Sequence, residues 1–238
     1  MAADINISDI KDAFPEQKSD ALWTRFILRP LSFPIACVFI RLGISANIVT
    51  YLSVIFVSSG AVLLFTESLL LALIGAFFFN LFALLDCVDG NIARTTDGGN
   101  EYGEWVDALG GYISYAFVFL SVGVFVDNTY PATYFGHEID FVLLGAIAAV
   151  FNLLIRIQHQ KFVNVTNYTK YRGEKSDEQE TLTEFIDKNM GITGILMPVV
   201  LLGVVLSLLH ATIVFYALFY VGAWFVSTLS TIRTVESK

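Results

Sequence analysis

Cysteine is scarce in this chain: Cys37 and Cys87 are its two thiols. Their number and separation suggest neither a disulfide framework nor a zinc site. Positive charge is scarce as well. Fourteen Lys and Arg stand against 22 Asp and Glu, a formal net charge of −8. No basic patch dominates, which argues against a nucleic-acid partner. The first twenty residues, MAADINISDIKDAFPEQKSD, are polar and acidic, so they do not read as a signal peptide. No internal repeat or low-complexity segment stands out.

What the chain has in excess is apolar surface. Hydrophobic residues make up 55% of it and the mean hydropathy is +0.67, beyond what a water-soluble domain of this length carries. A bilayer core about 30 Å thick takes roughly 20 apolar residues per helix. Six runs meet that length, at 48–66, 69–88, 104–126, 139–160, 193–210 and 212–232. The expected fold is therefore an all-α integral membrane domain of six transmembrane helices over residues 47–232. A polar tail (1–20) and an amphipathic juxtamembrane segment (21–46) precede it, and a short tail (233–238) follows. In LWTRFILRPLSFPIACVFIRLGIS, Arg25, Arg29 and Arg41 interrupt the apolar residues, and Pro30 and Pro34 oppose a continuous spanning helix. It reads as an interfacial helix lying on the membrane.

Orientation follows from Lys and Arg. All 14 fall in the N-terminal region, the 86–107 segment, the 156–192 segment or the C-terminal tail. The connections near Glu67, Asp127–Asp140 and His210 carry none. Six spans then place both termini and the 86–107 segment in the cytoplasm, at the inner membrane of the cell. The acceptor-like triplets NVT at 164 and NYT at 167 would face the wrong compartment for glycosylation. The charged run at 170–190 reads as a solvated connection.

The chemistry concentrates in DCVDGNIARTTDGGNEYGEWVDALGG, residues 86–111. Asp86 and Asp89 are three apart at the end of the second span and share a helix face. Asp107 sits near the start of the third, and a short connection makes the two spans antiparallel neighbours. Three carboxylates at a membrane boundary repel one another unless a cation intervenes. Mg²⁺ or Mn²⁺ suits an all-oxygen donor set. Gly90, Ala93 and Gly103 keep bulk away from the carboxylates, and Arg94 supplies a fixed positive charge for an anionic group. A polar set on the fourth span, Asn152, Arg156, Gln158 and His159, suggests a pocket for an acidic headgroup or acceptor phosphate at Arg156; snorkelling to the interface is the alternative. Asn80 reads as a helix–helix hydrogen-bonding residue, Cys87 as a small packing residue, and Trp23, Tyr51, Trp105 and Trp224 as interfacial anchors.

This segment resembles the signature of the CDP-alcohol phosphotransferases, D-x2-D-G-x2-A-R-x8-G-x3-D-x3-D. Asp86, Asp89, Gly90, Ala93, Arg94, Gly103 and Asp107 match seven of its eight positions with every gap preserved; Gly111 stands where the family has its last Asp. SANIVT, with Asn47 and Thr50, resembles the family's opening of the first span, with Ala46 in place of Pro. The resemblance implies transfer of a phosphate-linked group from a CDP-linked donor to an acceptor, with release of CMP, as in phospholipid synthesis. It implies Asp86, Asp89 and Asp107 as ligands of Mg²⁺ or Mn²⁺. It also implies that Asn47, Thr50, Gly90, Ala93 and Gly103 lie against the CDP moiety, and that the protein is a homodimer.

The family's last Asp is the expected general base, and Gly111 cannot replace it. Three readings follow. Glu104, one turn before Asp107, takes over as base, with Glu101 and Asp97 nearby. Alternatively the acceptor is already ionised, as a polyprenyl phosphate is, and needs no base. In the third, the protein binds CDP-nucleotide or lipid without catalysis. A further rival is a transporter or channel with the carboxylates as a cation site; it calls for acidic groups on several helices near mid-membrane, whereas these gather at one edge.

Overall fold

The computed structural model describes residues 5–14, 20–96, 98–134, 137–166 and 182–236. A short helix α1 (Ile7–Asp12) leads to a π-helical turn (Thr24–Leu28) that runs directly into α2 (Arg29–Arg41). The spanning set follows: α3 (Ala46–Leu64), α4 (Leu69–Thr95), α5 (Glu101–Thr129) and α6 (Phe141–Thr166). Between α5 and α6 a two-residue strand, Thr133–Tyr134, pairs antiparallel with His137–Glu138. Then come α7 (Leu182–Met190), a π-helical turn (Ile192–Leu196), α8 (Met197–Val205) and α9 (Leu209–Glu236). Six of the described segments are long and apolar enough to cross a membrane, the fifth formed by Lys188–Val205. The protein is a multi-pass membrane protein of α-helices, as its sequence predicts.

Apolar side chains lie on both sides of these helices. Phe79, Phe82, Phe119, Phe125, Tyr216 and Tyr220 form the interior of the bundle. Leu70, Phe77 and Leu218 stand on its outside, Leu218 69% exposed. Water would penalise such an exterior; hydrocarbon does not. Asn80 donates to the carbonyl of Met197 at 3.0 Å, joining α4 to α8 as a helix–helix hydrogen bond. Cys87 is buried in the core.

Close approach of α3 and α4 sets the frame for the site. A Cβ on Gly60 would lie 2.8 Å from the carbonyl oxygen of Gly75, and one on Gly75 would lie 2.6 Å from that of Gly60. Only glycines permit this crossing. Helix α3 also packs along α5, whereas α4 and α5 touch little. The second and third spans are thus not the direct neighbours their short connection suggests. Helix α3 separates them, and its N-terminal end lies where they diverge.

The juxtamembrane segment is helical. Pro30 and Pro34 do not break it; helix continues from 22 to 41. Pro30 comes just after the π turn, whose widened hydrogen-bond pattern accommodates a residue without an N–H, and Pro34 lies inside α2. Leu28, Phe33, Ala36 and Cys37 lie on its buried face, and Arg25 and Arg41 are exposed. Phe26, Leu31 and Val38 are exposed, while Thr24, Arg29 and Ser32 are buried. The polar groups turn inward because they have partners there.

Candidate functional site

The divergence of α4 and α5 opens a cavity of about 650 Å³. All seven matched positions of the 86–107 motif border it: Asp86, Asp89, Gly90, Ala93 and Arg94 from α4, Gly103 and Asp107 from α5. Asn47 and Thr50 contribute the α3 wall, and Glu101 and Glu104 the start of α5. Helix α4 does not stop at the carboxylates but runs on to Thr95, so Asp86, Asp89 and Arg94 have fixed helical relations.

Thr50 ties two walls together. Its hydroxyl lies 2.6 Å from Oδ2 of Asp89 and 3.1 Å from the carbonyl of Ala46. The hydroxyl has one proton to donate, and the shorter contact, to Asp89, claims it. Asp89 is 5% exposed. Among the described residues, no Lys, Arg or His forms an ion pair with Asp86, Asp89 or Asp107.

At Gly103 α5 approaches α3 closely: a Cβ there would lie 3.0 Å from Oδ1 of Asn47. The Asn100 side chain caps α5 by accepting from Gly103 N at 2.8 Å. The first turns of α3 and α5 border the cavity through Ala46, Asn47, Glu101 and Gly103.

Gly111 is not in the cavity wall. A Cβ built on it meets nothing within 4 Å, so packing does not demand a glycine there. Of the carboxylates weighed for its missing function, Glu104 and Glu101 line the cavity, and Asp97 lies outside the described residues. The polar set on α6 divides. Asn152 Oδ1 accepts from Arg156 Nε at 3.2 Å, and the Arg156 guanidinium lies 4.1 Å from the centroid of the Tyr115 ring, one turn beyond Gly111. Gln158 bonds Thr228 at 3.0 Å and Thr231 at 3.3 Å on α9, and His159 is exposed. None of the four borders the cavity.

Several wall residues were not singled out from the sequence. Arg29, 6% exposed, donates from Nε and Nη2 to Asp20 at 2.9 and 3.1 Å and from Nη1 to Asn91 at 3.0 Å. Asn91 in turn donates to Ser32 Oγ at 2.8 Å. The arginine thus joins the N-terminal arm, α2 and the motif helix. Lys188 and Thr193 close the cavity from the other side. Their segment is pinned by Asn189, which accepts from Leu22 N at 2.7 Å, and by the Thr24 hydroxyl, which donates to the Thr193 carbonyl. A charge inside an apolar run was the available signal for Arg29; the partners lie too far away in sequence to be read from it.

Among the described residues, no group of three or more His, Cys, Asp or Glu side chains is gathered so as to hold a metal ion. The donor chemistry nevertheless fits a hard divalent cation. Three carboxylates border one cavity with no ion pair among the described residues, and buried Asp89 has one hydroxyl as its side-chain hydrogen-bond partner there.

A search of curated proteins finds no significant match to the chain. The family model described as CDP-alcohol phosphatidyltransferase matches residues 43–225.

Proposed function

The chain belongs to the CDP-alcohol phosphatidyltransferase family, a family of membrane-embedded transferases that use CDP-alcohol donors and generally depend on divalent metal; from that premise we propose how its own residues carry out the transfer. It takes a phosphate-linked group from a CDP-linked donor and passes it to a membrane-associated acceptor at the cytoplasmic face, releasing CMP. The observation that carries this reading is the single cavity bordered by all seven matched motif residues together with Asn47 and Thr50.

Asp86, Asp89 and Asp107 would hold Mg²⁺ or Mn²⁺. When bound, the metal screens the negative charge that develops on the leaving CMP. Thr50 orients Asp89 through the hydrogen bond described above. Asn47, Gly90, Ala93 and Gly103 form the surface against which the cytidine nucleotide lies. The N-termini of α3 and α5 and the Arg94 guanidinium favour its phosphates. The cytoplasmic orientation rests on the Lys and Arg distribution, and a homodimer is the expected assembly.

For a hydroxyl acceptor, Glu104 is the candidate base, since it lines the cavity on the same helix as Asp107. Gly111 can supply no base, which leaves a second reading: an acceptor already ionised, such as a polyprenyl phosphate, attacks through phosphate oxygen without one. Arg156, over Tyr115 one turn further along α5, would then meet the acceptor's charge.

CMP release by purified protein, assayed with a panel of CDP-donors and with hydroxyl and phosphate acceptors, tests the proposal. Metal-dependent CMP formation is expected. Cytidine binding without CMP release would identify a binding protein, and no metal-dependent cytidine binding would favour a transporter.

A further inference from the structure

Two guanidiniums meet one aromatic ring in the N-terminal arm. Arg29 of α2 and Arg94 of α4 lie 4.1 and 4.2 Å from the centroid of Phe14. The two cations differ in what else holds them. Arg29 is neutralised by Asp20 and anchored by Asn91. Arg94 has no ion-pair partner among the described residues. It folds back along α4 until Nη2 lies 2.8 Å from where a Cβ on Gly90 would be. Helix geometry places the Arg94 backbone, but a four-bond side chain beside water has many rotamers. The Phe14 ring selects among them, because a guanidinium over an aromatic face gains electrostatic stabilisation.

Phe14 does not border the cavity, whereas Arg94 does. The ring therefore supports the guanidinium from behind and leaves the space for a ligand open. The arm reaches this place by contacts that do not involve Phe14. Ile10 is 1% exposed among Phe33, Val88 and Ile92. The Ile5 carbonyl accepts from Arg41 Nε and Nη2 at 3.2 and 3.0 Å, and Lys11 Nζ lies 5.7 Å from the centroid of Phe33.

We propose that Phe14 is a positioning residue of the active site: the docked N-terminal arm holds the Arg94 guanidinium in the cavity wall, where it meets the diphosphate of the donor. The proposal deepens the CDP-donor reading and rests on it. It makes residues 5–14 part of the donor site, although they precede the region matched by the family.

The test uses the full chain in detergent with CDP and Mg²⁺. Donor affinity is read by calorimetric titration, kcat and donor KM by CMP release, and folding by Tm. Phe14→Leu keeps an apolar side chain and removes the ring. It is expected to raise donor KM and CDP Kd about three- to fivefold, with kcat and Tm little changed. Phe14→Trp is expected to recover most of the loss, which a merely structural role would not give. On an Arg94→Met background, Phe14→Leu should add no further loss, because the ring acts through that cation. Wild-type donor KM in Phe14→Leu, a full additional loss on Arg94→Met, or a rise in turnover would each overturn the proposal. Failure of the wild-type chain to bind CDP or release CMP would overturn the donor reading and this proposal together. A wild type that turns over with a ring-insensitive KM would overturn this proposal alone.

Discussion

Thr50 on α3 and Asp89 on α4 share a 2.6 Å hydrogen bond that joins the two helices at the cavity wall. It links the opening of the first span to the motif of the second. Thr50→Val keeps the shape and removes the hydroxyl. Loss of such an orienting partner lowers metal affinity about 10- to 100-fold. The Mg²⁺ concentration for half-maximal CMP release should rise accordingly, and an unchanged metal titration would refute the orienting role.

Removing a ligand should reach further than removing its partner. A cation that binds the folded state stabilises it in proportion to its affinity. Adding Mg²⁺ should raise the Tm of the wild-type protein. The rise should disappear in Asp89→Asn and in Asp86→Asn, with loss of CMP release. If these variants keep the Mg²⁺-dependent shift, the cation binds elsewhere.

Glu104→Gln separates the two acceptor chemistries. General-base help to a hydroxyl is worth about 10²- to 10⁴-fold, so kcat with a hydroxyl acceptor should fall by that order. Turnover with a phosphate acceptor should be nearly unchanged, because the nucleophile carries its charge already. Equal effects on both acceptors would exclude Glu104 as the base.

Arg156→Ala tests the α6 cation. If it meets acceptor charge, acceptor KM rises while donor KM holds. An unchanged acceptor KM leaves Arg156 as a residue of the α5–α6 packing, stacked on Tyr115.

Two glycine substitutions should behave oppositely. Gly75→Ala drives a methyl to 2.6 Å from the Gly60 carbonyl oxygen, an overpacking cost of about 1–3 kcal/mol. Gly111→Ala meets open space in the middle of α5 and should stabilise by about 0.5–1 kcal/mol through helix propensity. Thermal melts in detergent check both. A destabilised Gly111→Ala would mean that packing does require this glycine.

The amino-acid sequence by itself determined the six spans, because twenty apolar residues in succession have one economical environment, and it determined the residues of the motif, because their spacing is local. The helix–helix role of Asn80 and the burial of Cys87 were legible for the same reason: each follows from residue type within one helix. Tertiary structure decided what lies between those helices. The Gly60–Gly75 crossing draws α3 onto α4, and α3 then separates α4 from α5, so Asp86 and Asp89 face Asp107 across a cavity. Nothing in the local pattern encodes which of several small-residue faces will meet. Nor could it show that Arg29 turns inward to Asp20 and Asn91, or that Phe14 reaches Arg94, since those partners are separated by long stretches of chain and meet only when the bundle closes.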